Sequence, residues 1–173
     1  MPAQSSGADG SRWQEFGWIA EQSGRQQEDR EPETGRPRPI VSVVVVNFNG
    51  GDLLTGAVAA ALSSDVPVEV LVVDNASRDG SMDRLCGTYG DHPRVRVFEN
   101  EKNVGFARAT NLALTHARGR FLLLLNPDCV VEAATLSRLL AVLEHHPDVG
   151  MAGCLIRNPD GTEQAGCRRA VPT

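Results

Sequence analysis

The sequence predicts an α/β fold, a mostly parallel sheet with helices on both faces that ends in a β-hairpin. Three observations carry that prediction. Four short apolar runs alternate with segments of helical period, the pattern of successive β-α units. The first two runs are rich in branched residues and nearly continuous, as expected of strands covered on both faces. Each of the four ends in side chains that hydrogen-bond or carry charge. In a sheet of this kind, ligands bind beyond the carboxyl ends of the strands.

Val41-Ser42-Val43-Val44-Val45-Val46 reads as the first strand. Gly50-Gly51-Asp52 follows, and then Leu54, Val58, Ala61 and Leu62 recur at helical spacing. Residues 68–73 read as a second buried strand, closed by Asp74-Asn75. The stretch from Asn75 to Gly80 is turn chemistry, and Ser81 is expected to cap a short helix reaching Tyr89. Residues 95–98 alternate, which places a third strand nearer an edge. Residues 105–118 read as a helix whose small residues Ala109, Ala113 and Ala117 permit close packing on the sheet. Residues 121–125 form the fourth run, broken by Asn126-Pro127-Asp128. Leu136, Leu139, Leu140 and Leu143 mark an amphipathic helix. Residues 149–156 and 162–167, around a turn at Asn158-Pro159-Asp160-Gly161, read as the hairpin. Right-handed crossovers between the parallel strands complete the expected topology.

Ahead of this domain, residues 1–39 are rich in Gly, Pro, Gln, Glu and Arg and hold no branched run. Such a segment buries too little to offset its ordering entropy, so it reads as a disordered tail and linker whose removal leaves the melting temperature nearly unchanged. Trp13, Phe16, Trp18 and Ile19 stand against that reading. The alternative is a short helix docking on a partner, a membrane surface or the domain itself.

Composition narrows the function. Of 173 residues, 41% are hydrophobic and 23% charged, ordinary for a globular protein. With 17 Lys+Arg against 22 Asp+Glu the net charge is -5, which argues against nucleic acid as a partner. No run is long enough to span a bilayer and no signal peptide is read, so a cytoplasmic location is expected. Cys86, Cys129, Cys154 and Cys167 show no metal-ligand spacing and read as reduced, partly buried thiols. His145-His146 closes a helix and reads as a partner of its C-terminal dipole.

The first strand-helix turn, Asn47-Phe48-Asn49-Gly50-Gly51, lacks the glycine pattern that lets a dinucleotide pyrophosphate approach a helix. A P-loop and a nucleophile elbow are also missing. What remains at the rim is two carboxylates. Asp74 can accept hydrogen bonds from a base or ribose, and Asp128 can ligate Mg2+ or Mn2+, hard cations that share their oxygen ligands with substrate phosphates. A turn-forming role stays open for each.

Four motifs then resemble a known family. They are Val43-Val-Val-Val-Asn-Phe-Asn-Gly50, Val72-Val-Asp-Asn-Ala-Ser-Arg-Asp-Gly-Ser81, Asn100-Glu-Lys-Asn-Val-Gly-Phe-Ala-Arg-Ala-Thr-Asn111 and Leu124-Leu-Asn-Pro-Asp128. Over residues 40–173 they look like family 2 glycosyltransferases of GT-A fold, closest to the bacterial rhamnosyltransferase-like branch. The resemblance implies transfer of a sugar from a nucleotide-diphosphate donor, with inversion, to a glycan or lipid-linked acceptor. It implies that Asn47 and Asn49 line the nucleotide pocket, that Asp74 contacts the base and that Asn75 supports the same loop. Asn103, Gly105 and Phe106 would shape the pocket wall, with Gly105 letting the backbone approach the nucleotide, and Asn111 would lie behind them. Asn126-Pro127-Asp128 takes the place of the family's Asp-x-Asp motif. Asp128 would hold the Mg2+ or Mn2+ and Asn126 would reach the ribose or the metal shell. Lys102 and Arg108 could approach phosphates, and a solvated role is preferred for both. No residue matches the family's general base, so residues 40–173 read as a donor half, C-terminally incomplete, and a non-catalytic nucleotide-sugar binding module is the alternative. Association with the inner face of the plasma membrane is the corresponding expectation for location.

Overall fold

The computed structural model describes residues 18–21 and 38–165 of the chain. In chain order the elements are β1 (Trp18–Glu21), β2 (Val41–Asn47), α1 (Leu53–Leu62), β3 (Val68–Asp74), α2 (Ser81–Tyr89), β4 (Val95–Glu99), α3 (Phe106–His116), β5 (Phe121–Leu125), α4 (Thr135–His145) and β6 (Met151–Gly153). One six-stranded sheet has the order β4-β3-β2-β5-β1-β6. Its parallel part is β4-β3-β2-β5, and β1 runs antiparallel to both β5 and β6. The α/β class expected from the sequence is the one observed, and β4 takes the sheet edge that its alternation indicated.

The strands explain themselves by burial. Every residue of β3 is buried, and so is all of β2 except Val46. Their side chains alternate between two apolar layers. Val41, Val43, Val45, Val70 and Val72 meet Leu54 and Val58 of α1, Leu85 of α2 and Leu136, Leu139, Leu140 and Leu143 of α4. Val44, Leu71 and Val73 meet Ala109 and Ala113 of α3 on the opposite face. Small residues on α3 bring its backbone near the sheet, as their spacing indicated. The chain then passes from α3 into β5 through Gly119, where a Cβ would stand 2.5 Å from the Ser42 backbone nitrogen. No side chain fits there.

Three expectations need correction. Trp18–Glu21 does not belong to a structureless tail: it is a strand, and a strand rather than a helix. Four residues carry too little periodicity to announce a strand; their conformation is set by the open edges of β5 and β6. Residues 1–17 and 22–37 of the expected tail, Trp13 and Phe16 among them, lie outside the described residues. Ser81 does not cap α2 but is its first residue, after Gly80 at φ 75°. The hairpin is present only in reduced form. Arg157 bridges Glu163 around the expected turn, while Met151–Gly153 of the first arm pairs with β1 instead. Cys167 lies outside the described residues.

Among the described residues, no helix is long and apolar enough to cross a membrane.

Candidate functional site

Register puts three polar residues side by side at the carboxyl rim: Asn47 of β2 opposite Asp74 of β3, and Asp74 opposite Glu99 of β4. Asn47 is fully buried, and its two amide hydrogens are shared among Asp74 Oδ1 (2.8 Å), Ser81 Oγ (2.9 Å) and Ser77 Oγ (3.0 Å). Its Oδ1 accepts from Gly50 N at 3.1 Å. Asp74 is 4% exposed and accepts at Oδ1 from Ser77 Oγ (2.5 Å) and at Oδ2 from Ser77 N (2.8 Å). The turn-forming role of Asp74 is therefore realised, and Asn47 is the buried hub of this network. A buried carboxylate met by this many donors is satisfied, but every donor is neutral.

Around this hub the first two loops are stitched together. Asn49, at φ 55°, accepts from Arg78 N (2.9 Å) and donates its own N–H to Ser77 Oγ (2.9 Å). Gly51 N donates to Asp79 Oδ2 at 2.7 Å, and Ser81 Oγ donates to Asp79 Oδ1 at 2.6 Å. The Ser81 hydroxyl above all, helped by its N–H and that of Gly51, holds the Asp79 carboxyl down to about 2. A third loop joins through Asn75, whose Oδ1 accepts from Asn100 Nδ2 at 3.0 Å and whose N–H donates to Asn47 O at 2.8 Å.

Beside the hub lies a cleft of about 330 Å³ lined by Asp74, Ser77, Arg78, Asp83, Glu99 and Asn100. Cys86 also faces it, its thiol pushed up by burial and by the carboxylates of Glu99 and Asp83. Of the residues singled out from the sequence as pocket-forming, this cleft takes in only Asp74. Asn103 is exposed and its Oδ1 accepts from Gly105 N at 2.9 Å. Gly105 sits at φ 83° with nothing within 4 Å of a built Cβ, so the position requires glycine for its backbone angle. Phe106 opens α3 and Asn111 lies exposed along it.

The fourth loop leaves β5 next to β2. A Cβ on Gly50 would stand 2.5 Å from Asn47 Oδ1 and 3.3 Å from Pro127 Cβ, so Asn126-Pro127-Asp128 abuts the first loop. Asp128 is exposed, and its Oδ1 accepts only a long contact, 3.7 Å, from Cys129 Sγ. Burial, then the adjacent Asp128 carboxylate, pushes the Cys129 thiol up to about 11. Asn126 is half-buried and its carbonyl accepts from Cys129 N at 3.1 Å. Because β2 separates β3 from β5, the carboxyl ends of these two strands lie two strand spacings apart, about 10 Å, and the loops carrying Asp74 and Asp128 leave the sheet at the same edge. Among the described residues, no three His, Cys, Asp or Glu side chains gather to hold a metal by themselves.

Glu99 and Asn100 fall at the end of the third strand, on the rim expected to bind ligand, whereas Ser77, Asp79 and Asp83 have no site role in the sequence reading. The signal available was the alternation of Asx and hydroxyl residues in Asp74-Asn-Ala-Ser77-Arg-Asp79-Gly-Ser81, in which Asp74 accepts from Ser77 and Asp79 from Ser81.

Comparison with known proteins gives this rim a context. The glycosyl transferase family 2 profile matches residues 42–169. The succinoglycan biosynthesis protein ExoO of Rhizobium meliloti is 36% identical over 103 residues, 59% of this chain and 29% of that protein. The N-acetylglucosaminyl-diphospho-decaprenol L-rhamnosyltransferase of Mycobacterium tuberculosis is 28% identical over 142 residues, 75% of this chain and 45% of that protein. The chain thus spans less than half the length of these relatives. Among solved structures, the mannosyltransferase PcManGT from Pyrobaculum calidifontis, in complex with GDP-Man and Mn2+, superposes with a TM-score of 0.57 at 30% identity. That match covers 62% of this chain and 33% of the mannosyltransferase.

Proposed function

The chain belongs to glycosyl transferase family 2, and from that premise we propose that its rim is the donor site of an inverting sugar transfer. The donor is a nucleotide-diphosphate sugar, with rhamnose the sugar favoured, and the acceptor is a hydroxyl of a cell-surface glycan or lipid-linked saccharide. The observation that supports this reading is that the loops carrying Asp74 and Asp128 leave the parallel sheet at one edge, on either side of the first loop. The relative whose name couples rhamnosyl transfer to N-acetylglucosaminyl-diphospho-decaprenol supports both the sugar and the acceptor class. An acceptor of that kind favours work at the cytoplasmic face of the membrane.

The residues divide the task by their hydrogen bonds. Asp74, Ser77 and Asn100 border the cleft that takes the base, and Asn47 and Asn75 hold their loops in place rather than touching the nucleotide. Asn49, Asn103, Gly105 and Phe106 form the rim toward the ribose and phosphates. The net-negative cleft lining repels a diphosphate, which directs the phosphates toward Asp128. A hard divalent cation fits there: Asp128 offers a carboxylate free of strong internal bonds, Asn126 lies beside it, and donor oxygens would complete the shell. When bound, Mg2+ or Mn2+ neutralises charge developing on the diphosphate leaving group. Asp128 alone supplies one negative charge, so affinity for the cation depends on the donor.

No residue of this chain is assigned as general base. Asp160 accepts from Thr162 N (2.9 Å) and Thr162 Oγ1 (2.6 Å) in its turn, and Glu163 lies in the bridge beyond it. That observation favours, as second reading, a nucleotide-sugar binding module without transfer. Calorimetric titration with UDP, GDP and dTDP, each with and without Mn2+, tests the site. Cation-dependent binding of one of them is expected, and binding of none rejects the donor-site reading. Release of sugar from the matching sugar nucleotide separates enzyme from module.

A further inference from the structure

Among the described strands, the first in sequence is not beside the second. β1 lies between β5 and β6, where Trp18 pairs with Leu124 on one side and Gly153 on the other. Leu124 is two residues before Asn126, where the loop carrying Asp128 begins. β6 pairs, among the described strands, with β1 alone. Ala152 of β6 and Cys129, the residue after Asp128, pack against the same apolar layer. Residues 22–37, which connect β1 toward β2, contain no aliphatic or aromatic residue other than Pro32 and Pro37.

We propose that β1 is a brace of the donor site: its seating between β5 and β6 holds the Asn126-Pro127-Asp128 loop in the arrangement that binds nucleotide and cation. With β1 out, β5 would have an open edge leading straight into that loop, and β6 would lose its ladder. The inference rests on the donor-site reading. By linkage, a strand that raises nucleotide affinity when seated must itself be seated more firmly by nucleotide, by the same factor. The chain provides its own reporter, since its two tryptophans, Trp13 and Trp18, both precede residue 19.

The test uses the full chain and Ile19→Pro, which removes a backbone donor from an interior strand. Titration with UDP, GDP and dTDP in the presence of Mn2+ is followed by calorimetry and by tryptophan emission. The expected result is that Ile19→Pro weakens the nucleotide that binds by about five- to fiftyfold, a usual range for coupling between sites. In the unaltered chain, the same nucleotide is expected to shift the tryptophan emission further from that of the variant. A synthetic peptide of residues 14–25 added to the variant restores affinity. Equal affinity in the two chains, with emission showing that the strand has left, overturns the brace and leaves the donor site standing. Binding of no nucleotide to the unaltered chain instead overturns the donor site, and the brace with it. If Ile19→Pro fails to fold by circular dichroism, Ala20→Gly with the same peptide rescue replaces it; unchanged affinity there, with altered emission, overturns the proposal equally.

Discussion

Strands β2 and β3 are joined at both ends by a polar pair buried in register, Ser42 with Glu69 at the amino end and Asn47 with Asp74 at the carboxyl end. The two pairs have the same chemistry on paper, a neutral side chain donating to a carboxylate. Their surroundings differ. Glu69 accepts from Ser42 Oγ (2.6 Å) and Arg118 N (2.6 Å), and its other oxygen meets Arg96 Nη2 at 2.8 Å. Arg96 also donates to the His116 carbonyl. The charge at that end is cancelled and sealed. Asp74 meets an amide, a hydroxyl and a backbone N–H, with no guanidinium, and an open cleft lies beside it. A balanced carboxylate fastens a sheet; one solvated only by neutral groups, at the edge of a cavity, keeps an electrostatic demand that a ligand can meet.

That contrast is open to attack by mutation. The largest effect is expected at the sealed end. Arg96→Ala leaves Glu69 buried with an uncompensated charge and costs about 3 kcal/mol, the low end for a broken buried pair because the Arg96 side chain is 29% exposed. Urea denaturation measures it, and nucleotide affinity should not move. At the rim, Asp128→Ala is expected to abolish cation-dependent nucleotide binding in calorimetry while changing stability by less than about 0.5 kcal/mol, as for an exposed residue. Unchanged affinity would remove Asp128 from the cation's shell.

A smaller, mixed effect belongs to Asp74→Asn. The amide turns one acceptor into a donor facing Asn47 Nδ2 or the Ser77 N–H, which costs about 1–3 kcal/mol in denaturation and weakens nucleotide binding together with it. A loss of stability with affinity intact would make Asp74 a fastener like Glu69 and erase the contrast. The smallest effect is a pH dependence. Asp79 is held near 2 in the folded chain against an ordinary 3.8, so its contribution is fully present above about pH 4 and is lost as pH falls toward 2. Asp79→Asn should flatten thermal stability across that acid window and leave the neutral range nearly unaffected.

The parallel core was legible because its signal is local. Valine runs in β2 and β3, and the leucine spacing in α4, state burial on both faces or on one stripe without reference to the rest of the chain. Trp18–Glu21 was not, since a four-residue strand is stabilised by edges that lie elsewhere in the sequence. Met151–Gly153 was misassigned for the same reason: its real partner is β1 rather than the next turn of its own hairpin. At the site, the rim itself could be read from strand ends, and Asp74 and Asp128 fall on it. The division of labour could not. Whether Asn47 touches a ligand or fastens a loop depends on cross-strand register, which sets its amide against Asp74, Ser77 and Ser81.

The position of β1 also bears on how the molecule comes into being. Translation delivers Trp18–Glu21 before the other described strands, yet its two neighbours, around Leu124 and Gly153, leave the ribosome long afterwards. This strand must wait for both partners while the parallel layers assemble, and it joins the sheet as a late event of high contact order.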